Sequence, residues 1–309
     1  MKFEAITFDC WGTLLVDADW PTTYAIRVDR LAASARPFRV VTPEEARSAL
    51  DSAWRNHYQN WESGHPSGAV EMAREALEIL IDSPAGPAQE SRTILAPEIQ
   101  TAASALAIEF TNATLEADIR PVAGSRVLLE SLHRRGLRLG MICDTGFATG
   151  QTVRTLLDRA GLLEWLTTSI FSDEWGVPKP HPRLFWAALA ALEVEPNRAA
   201  HVGDLDRTDV RGAKRAGMTA IRLTAHHDDP AAGRDAEVVV VDSHETLQDV
   251  LLTSAGTDGD RGDGRKTESG SREAVSMPKA SVTESLDAAS PSLVLRDRAV
   301  MDRIERLIR

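Results

Sequence analysis

Four segments of the 309-residue chain end an apolar run in side chains that can carry chemistry. They are Ile6-Thr7-Phe8-Asp9-Cys10-Trp11-Gly12-Thr13, Met141-Ile142-Cys143-Asp144-Thr145-Gly146, the loop from Ser172 to Pro182 that contains Lys179, and His201-Val202-Gly203-Asp204 continuing to Asp209. In an open parallel sheet, ligands bind outside the carboxyl ends of the strands. A strand order that gathers these four ends would therefore build one pocket of several carboxylates with a single lysine. Such a pocket calls for a hard cation, and Mg²⁺, which keeps waters and a substrate phosphate oxygen, suits one or two carboxylate ligands. An isolated Asp before a glycine or a loop is ordinarily a turn former; the joint pattern is what points to chemistry.

The elements that must hold these residues read as strands alternating with helices, the pattern of a parallel sheet with crossover helices. Strands are expected at 3–8, 137–142, 168–171, 199–202, 219–223 and 237–241. More than a hundred residues with almost no strand character separate the first two, and they read as helices at 22–35, 43–61, 69–81 and 97–117. Thr42-Pro43-Glu44-Glu45 is a helix start: a capping hydroxyl, a first-turn proline and acids at the positive end of the dipole. Ser83 to Pro87 reads as a turn within this helical insertion.

Composition narrows the partners. A formal net charge of −11 argues against a general nucleic-acid binder. No apolar stretch approaches the length of a membrane span, and Glu4 and Asp9 interrupt the start, so a cytoplasmic protein without a membrane partner is expected. Two cysteines, Cys10 and Cys143, suffice for neither a disulfide framework nor a four-ligand zinc site. All the Trp, Tyr and Phe residues lie at or before Trp186. Residues 254–292 are rich in Gly, Ser, Asp and Glu and read as a disordered linker. At 293–309, Val300, Met301, Ile304, Leu307 and Ile308 fall at helical spacing, giving an amphipathic helix that could contact a second copy or a partner.

The ordered set FDxxGTL, ICDTG, KPHP and HVGDxxxxDVxGA resembles the haloacid dehalogenase superfamily of hydrolases, over about residues 3–245. The resemblance implies an α/β fold: a Rossmann-like parallel-sheet core (1–16 and 118–253) with an inserted α-helical cap (17–117). It further implies that Asp9 attacks phosphorus and forms an aspartyl-phosphate, that Lys179 neutralises Asp9 and the phosphoryl oxygens, and that Mg²⁺ is held by Asp9, the Trp11 carbonyl and Asp204, with Asp209 in support. Thr13, Cys143, Asp144 and Thr145 would face the phosphate of a small-molecule substrate.

Two motifs depart from the family's phosphatases. Trp11 stands where they place the Asp that protonates the leaving oxygen, and indole cannot transfer that proton at neutral pH. Cys143 stands in place of a hydroxyl residue and Asp144 in place of an amide, whereas Thr145 could restore a hydroxyl if the strand continues that far. The expectation is a Mg²⁺-dependent phosphatase of a small phosphorylated metabolite. The alternatives are a 2-haloacid dehalogenase, whose halide needs no proton, and a catalytically impaired binding or regulatory protein. The phosphonatase branch needs a cap lysine, and residues 15–120 have none. Trp54, Tyr58 and Trp61 read as cap packing, His57 and His65 as replacement proton donors of low weight, His226-His227-Asp228-Asp229 as a solvated turn, and the Arg-Gly-Asp at Arg261 as chance.

Overall fold

Ala5–Phe8, the first strand (β1), is apolar but for Thr7 and buried on both faces, as a central strand of a parallel sheet must be. The computed structural model describes residues 3–82, 96–230, 232–233 and 237–253. Its main sheet also contains β4 (Arg138–Cys143), β5 (Thr168–Phe171), β6 (Ala199–Gly203), β7 (Thr219–Leu223) and β8 (Val239–Val241), in the order β5-β4-β1-β6-β7-β8, every pair parallel. The chain winds first to one side of β1 and then to the other, so the switch point lies at β1. Register levels the strand ends there: Phe8 pairs with Met141 and with Val202. The residues that follow them, among them Asp9, Asp144 and Asp204, therefore emerge at one rim.

Each face of the sheet is covered. One buries Ile6, Phe8, Leu139 and Met141 against α5 (Ser125–Arg134), α6 (Gly150–Arg159) and α10 (His244–Thr253). The other buries Ala5, Ile142 and Ile170 against α8 (Pro182–Leu192) and α9 (Arg211–Arg215). The alternation follows from the period-two pleat. A one-turn helix, α7 (Ser172–Trp175), leads into the Lys179 loop.

The insertion is a helical cap of α1 (Trp20–Ala35), α2 (Pro43–Glu62), α3 (Ala69–Asp82) and α4 (Ala96–Glu116), with its own core around Leu31, Leu50, Met72, Leu77 and Phe110. The start of α2 is a capping box: the Thr42 hydroxyl accepts from the Glu45 N–H, and Glu45 accepts from the Thr42 N–H. Besides the one-turn α7, a two-stranded ribbon was not expected from sequence. β2 (Leu15–Asp17) and β3 (Ile119–Pro121) pair antiparallel and bring the entry and exit of the insertion side by side. The Ser83–Pro87 turn, the 254–292 linker, the Arg-Gly-Asp triplet and the 293–309 helix lie outside the described residues. Among the described residues no helix is long and apolar enough to cross a membrane.

Candidate active site

At the switch point, Lys179 Nζ donates to Asp9 Oδ1 and to Asp209 Oδ1, both at 2.6 Å. All three side chains are buried. Burial works against the ammonium, yet Asp209, Asp9 and Asp144 outweigh it and hold the lysine well above its usual value. Burial likewise works against Asp209, but Lys179 and His201 hold its carboxyl below the ordinary range.

Both oxygens of Asp209 are already engaged by protein donors. Its Oδ1 also meets His201 Nε2 at 3.3 Å, and its Oδ2 accepts from the Leu205 N–H at 3.0 Å. A carboxylate can only accept, so His201 carries its hydrogen on Nε2 and its Nδ1 accepts from the Thr7 hydroxyl at 2.8 Å. Burial pushes the His201 pKa down, consistent with a neutral ring. A π-helical turn, Asp206–Val210, aims Asp209 back at the rim, a local irregularity common at functional sites. Gly203 is required beneath it, because a Cβ there would lie 2.3 Å from Asp209 Cγ.

Carboxylate oxygens of Asp9, Asp204 and Asp209 lie within 4.8 Å of one another. Burial, opposed by Lys179, pushes Asp9 up to about 6, and burial together with the Asp9 charge pushes Asp204 up to about 8. Three buried carboxyls with one ammonium thus resist ionising together. Hard oxygen donors with surplus negative charge fit a divalent cation such as Mg²⁺, and Asp9 and Asp204 are the two whose charge the protein leaves least compensated. The Trp11 carbonyl belongs to the tight loop after Asp9, where Gly12 takes φ +79° and a Cβ would come 3.0 Å from Asp204 Oδ2.

The expected phosphate contacts separate in space. Thr13 is fully buried and its hydroxyl has no hydrogen-bond partner, while its carbonyl accepts from His244 Nε2 at 2.9 Å. Thr145 is held by Ser172, whose hydroxyl accepts from the Thr145 N–H at 2.8 Å and lies 3.0 Å from its Oγ1; both residues line a cavity of 510 Å³ under the cap. Ser172 was not singled out from sequence, although it begins the Lys179 loop. Cys143 is corrected: the strand alternation that buries Leu139 and Met141 turns Cys143 to the same packed face, wholly buried. A hydrogen bond with Cys10 and burial push its thiol well above its usual pKa.

Asp144 does not confront the phosphate as a free charge. Its Oδ1 accepts from the Lys179 N–H at 2.9 Å and its Oδ2 from Trp61 Nε1 at 2.5 Å, while burial pushes its pKa up to about 7. Trp61 therefore does more than pack the cap. Trp54 stacks on Phe147 at 4.8 Å and both Trp54 and Trp61 line a second cavity of 370 Å³ beside Trp11 and Gly12. The segment read as a solvated turn is exposed at His226, His227 and Asp228, but it also reaches the site: His227 Nδ1 lies 3.2 Å from Asp204 Oδ2, and Asp229, buried, accepts from the Asp206 N–H at 3.0 Å. Its residue types were the available signal; no periodicity shows where a loop after β7 travels. Of the two histidines weighed as proton donors, His57 is buried at both cavities, where burial pushes it down to about 4. His65 is exposed at the larger one.

The chain belongs to the haloacid dehalogenase-like hydrolases, whose family model matches residues 3–217. It is 37% identical over 133 residues to the phosphoserine phosphatase of Thermus thermophilus, covering 42% of this chain and 50% of that protein. Over 119 residues it is 34% identical to the glyceraldehyde 3-phosphate phosphatase of Methanopyrus kandleri, covering 38% of this chain and 50% of that protein. The chain thus spans about half the length of these curated relatives. The crystal structure of a 2-haloacid dehalogenase from Pseudomonas syringae pv. Tomato matches with a TM-score of 0.58 and 22% identity, over 82% of this chain and 100% of that one, which is a likeness of fold.

Proposed function

We propose that the protein is a Mg²⁺-dependent phosphatase that hydrolyses a small phosphorylated metabolite through an aspartyl-phosphate on Asp9. The observation that carries this reading is the convergence of Asp9, Asp204 and Asp209 on the single buried Lys179. The phosphatase names of the two relatives support it. Lys179 holds Asp9 Oδ1, which leaves the other oxygen to attack phosphorus. The phosphorus–oxygen bond to the leaving alcohol breaks as the bond to Asp9 forms, and water then cleaves the acyl phosphate and restores the carboxylate. Asp9, Asp204 and the Trp11 carbonyl, with Asp209 behind them, would hold the cation, which when bound supplies positive charge to the phosphoryl oxygens. Lys179 adds a second fixed positive charge, and Thr145, which lines both cavities, supplies a hydroxyl donor.

Trp11 hands no proton to the leaving oxygen, so substrates with acidic leaving groups should react best. The test is release of phosphate from p-nitrophenyl phosphate, expected to require Mg²⁺ and to vanish in Asp9→Asn. Absence of release by the unmodified protein would refute the reading.

Trp11 itself favours a second reading: displacement of halide from a 2-haloacid by Asp9, which needs no proton donor. Metal-independent halide release would select it; the carboxyl of Asp204 beside Asp9 argues against it.

A further inference from the structure

α1 buries Tyr24, Val28, Leu31 and Ala35 toward the cap core, and Arg27 falls on the same face. Arg27 is only 2% exposed. Its Nη2 donates to the Thr114 hydroxyl at 2.8 Å, and its guanidinium carbon lies 4.4 Å from the Phe147 ring centroid and 5.1 Å from that of Trp20. Those rings cover the faces of the ion, and its Nε and Nη1 edge is buried as well. Among the described residues the Nε and Nη1 donors have no hydrogen-bond partner, and no carboxylate reaches ion-pair distance. Asp17 is near enough to favour the charged form, but its Oδ1 accepts from the Asp19 N–H at 3.0 Å. A buried cation with unspent donors is costly unless something pairs with it.

Its position says where that partner would come from. Arg27 lines the 370 Å³ cavity whose wall also includes Trp11, Gly12 and Thr145. Gly12 lies against Asp204, so this cavity joins the rim where the phosphoryl group would react to the buried arginine. Trp20, Trp54 and Phe147 make the ground between them aromatic, and no lysine or second arginine lines it.

We infer that Arg27 is the subsite for a substrate carboxylate, so that the substrate is a compact phosphomonoester with a carboxylate at its other end. This rests on the phosphatase reading for the reacting end only. One guanidinium can bind one carboxylate through paired N–H donors, whereas a second phosphate would add still more negative charge to a wall that already carries Asp17 and Asp144. Arg27 is thereby a specificity residue that touches substrate away from the bond that breaks.

The experiment compares 2-phosphoglycolate, ethyl phosphate and ethylene glycol bisphosphate, which end in a carboxylate, a methyl group and a second phosphate. The unmodified protein should prefer phosphoglycolate to ethyl phosphate in kcat/KM by roughly 10- to 100-fold, the worth of hydrogen bonds to a charged group. In Arg27→Gln that ratio should collapse, mainly through KM, and Arg27→Lys should restore part of it. An equal preference in the parent and in Arg27→Gln, or a preference for the bisphosphate, would overturn the assignment. Calorimetric titration of Asp9→Asn, which keeps Arg27, decides the matter should Arg27→Gln fail to fold: tighter binding of phosphoglycolate than of ethyl phosphate supports the subsite, and equal or absent binding rejects it. If the parent hydrolyses none of the three while Asp9→Asn still discriminates between them, the phosphatase reading falls and the subsite stands.

Discussion

Trp61 of α2 donates its indole N–H to Asp144 Oδ2 at 2.5 Å, tying the cap to the carboxyl end of β4. The other oxygen of Asp144 accepts from the Lys179 N–H, so one carboxyl links a cap helix to the loop that carries the buried lysine. Arg207, from the π-helical turn before Asp209, reinforces the junction by lying 4.5 Å from the Trp61 ring centroid and 4.1 Å from that of Tyr58. Trp61→Phe keeps an aromatic ring and removes the donor. A hydrogen bond to a charged acceptor is worth about 1.5–3 kcal/mol, so kcat/KM for p-nitrophenyl phosphate should fall roughly tenfold or more. The variant should retain its circular dichroism. Unaltered kinetics would show that this bond does not set the active geometry.

Gly203→Ala tests the support of the buried ion pair without touching a charge. The added Cβ would sit 2.3 Å from Asp209 Cγ and 2.6 Å from its Cβ, so the carboxylate must leave Lys179 or the strand must move. Breaking a buried pair typically costs about 3–5 kcal/mol. A clear fall in Tm together with loss of phosphate release is expected. A variant as stable and active as the parent would mean that Asp209 can shift freely.

The strands were readable because their apolar runs stop in small or polar residues such as Asp9, Cys143, Ser172, Gly203 and Thr224, and the cap helices because 3.6-residue periodicity persists over many turns. β2 and β3 were not. Each has three residues, with Asp17, Arg120 and Pro121 among them, and what makes them strands is pairing across the whole insertion. Asp9, Lys179, Asp204 and Asp209 were legible as a set because each follows or joins a strand end. His227 and Asp229 were not, since a loop path is decided by tertiary contacts. Arg27 left a trace that went unread: it lies three residues after Tyr24 and four before Leu31, on the apolar stripe of α1.

The metal-free protein should lose stability as pH rises from about 6.5 to 8. Burial, opposed by Lys179, holds Asp9 near 6, burial holds Asp144 near 7, and burial with the Asp9 charge holds Asp204 near 8. Each value lies above the ordinary 3.8, so folding favours the protonated form; the stability this gives is present at low pH and drains as pH rises through 6, 7 and 8. His57, His201 and His244, lowered by burial from 6.5, act in the opposite direction, costing stability only as pH falls below that value. Between about pH 6.5, where the histidines cease to titrate, and pH 8, where the last carboxyl ionises, the carboxyls prevail and Tm should decline. Saturating Mg²⁺ binds the ionised carboxylates and stabilises the folded state by mass action, so its increment in Tm should grow over the same interval. Parallel melting profiles with and without Mg²⁺ would place the cation elsewhere.

Trp11→Asp asks what the tryptophan excludes. Trp11 is half-buried at the mouth of the 370 Å³ cavity, two residues after Asp9, on the loop where Gly12 turns toward Asp204. A carboxyl there could protonate a leaving alkoxide and then take a proton from water, help that is typically worth about 10²- to 10⁴-fold. An aryl leaving group such as p-nitrophenolate scarcely needs that proton, whereas an alkyl one does. The substitution should therefore raise the rate on ethyl phosphate relative to p-nitrophenyl phosphate by roughly tenfold or more, with a new pH dependence from the added acid. It also removes an indole from the cavity wall, so KM for both substrates should rise. A ratio that stays constant while both rates fall would mean that Trp11 matters as a wall of the site, and that the proton for the leaving group comes from somewhere other than this position.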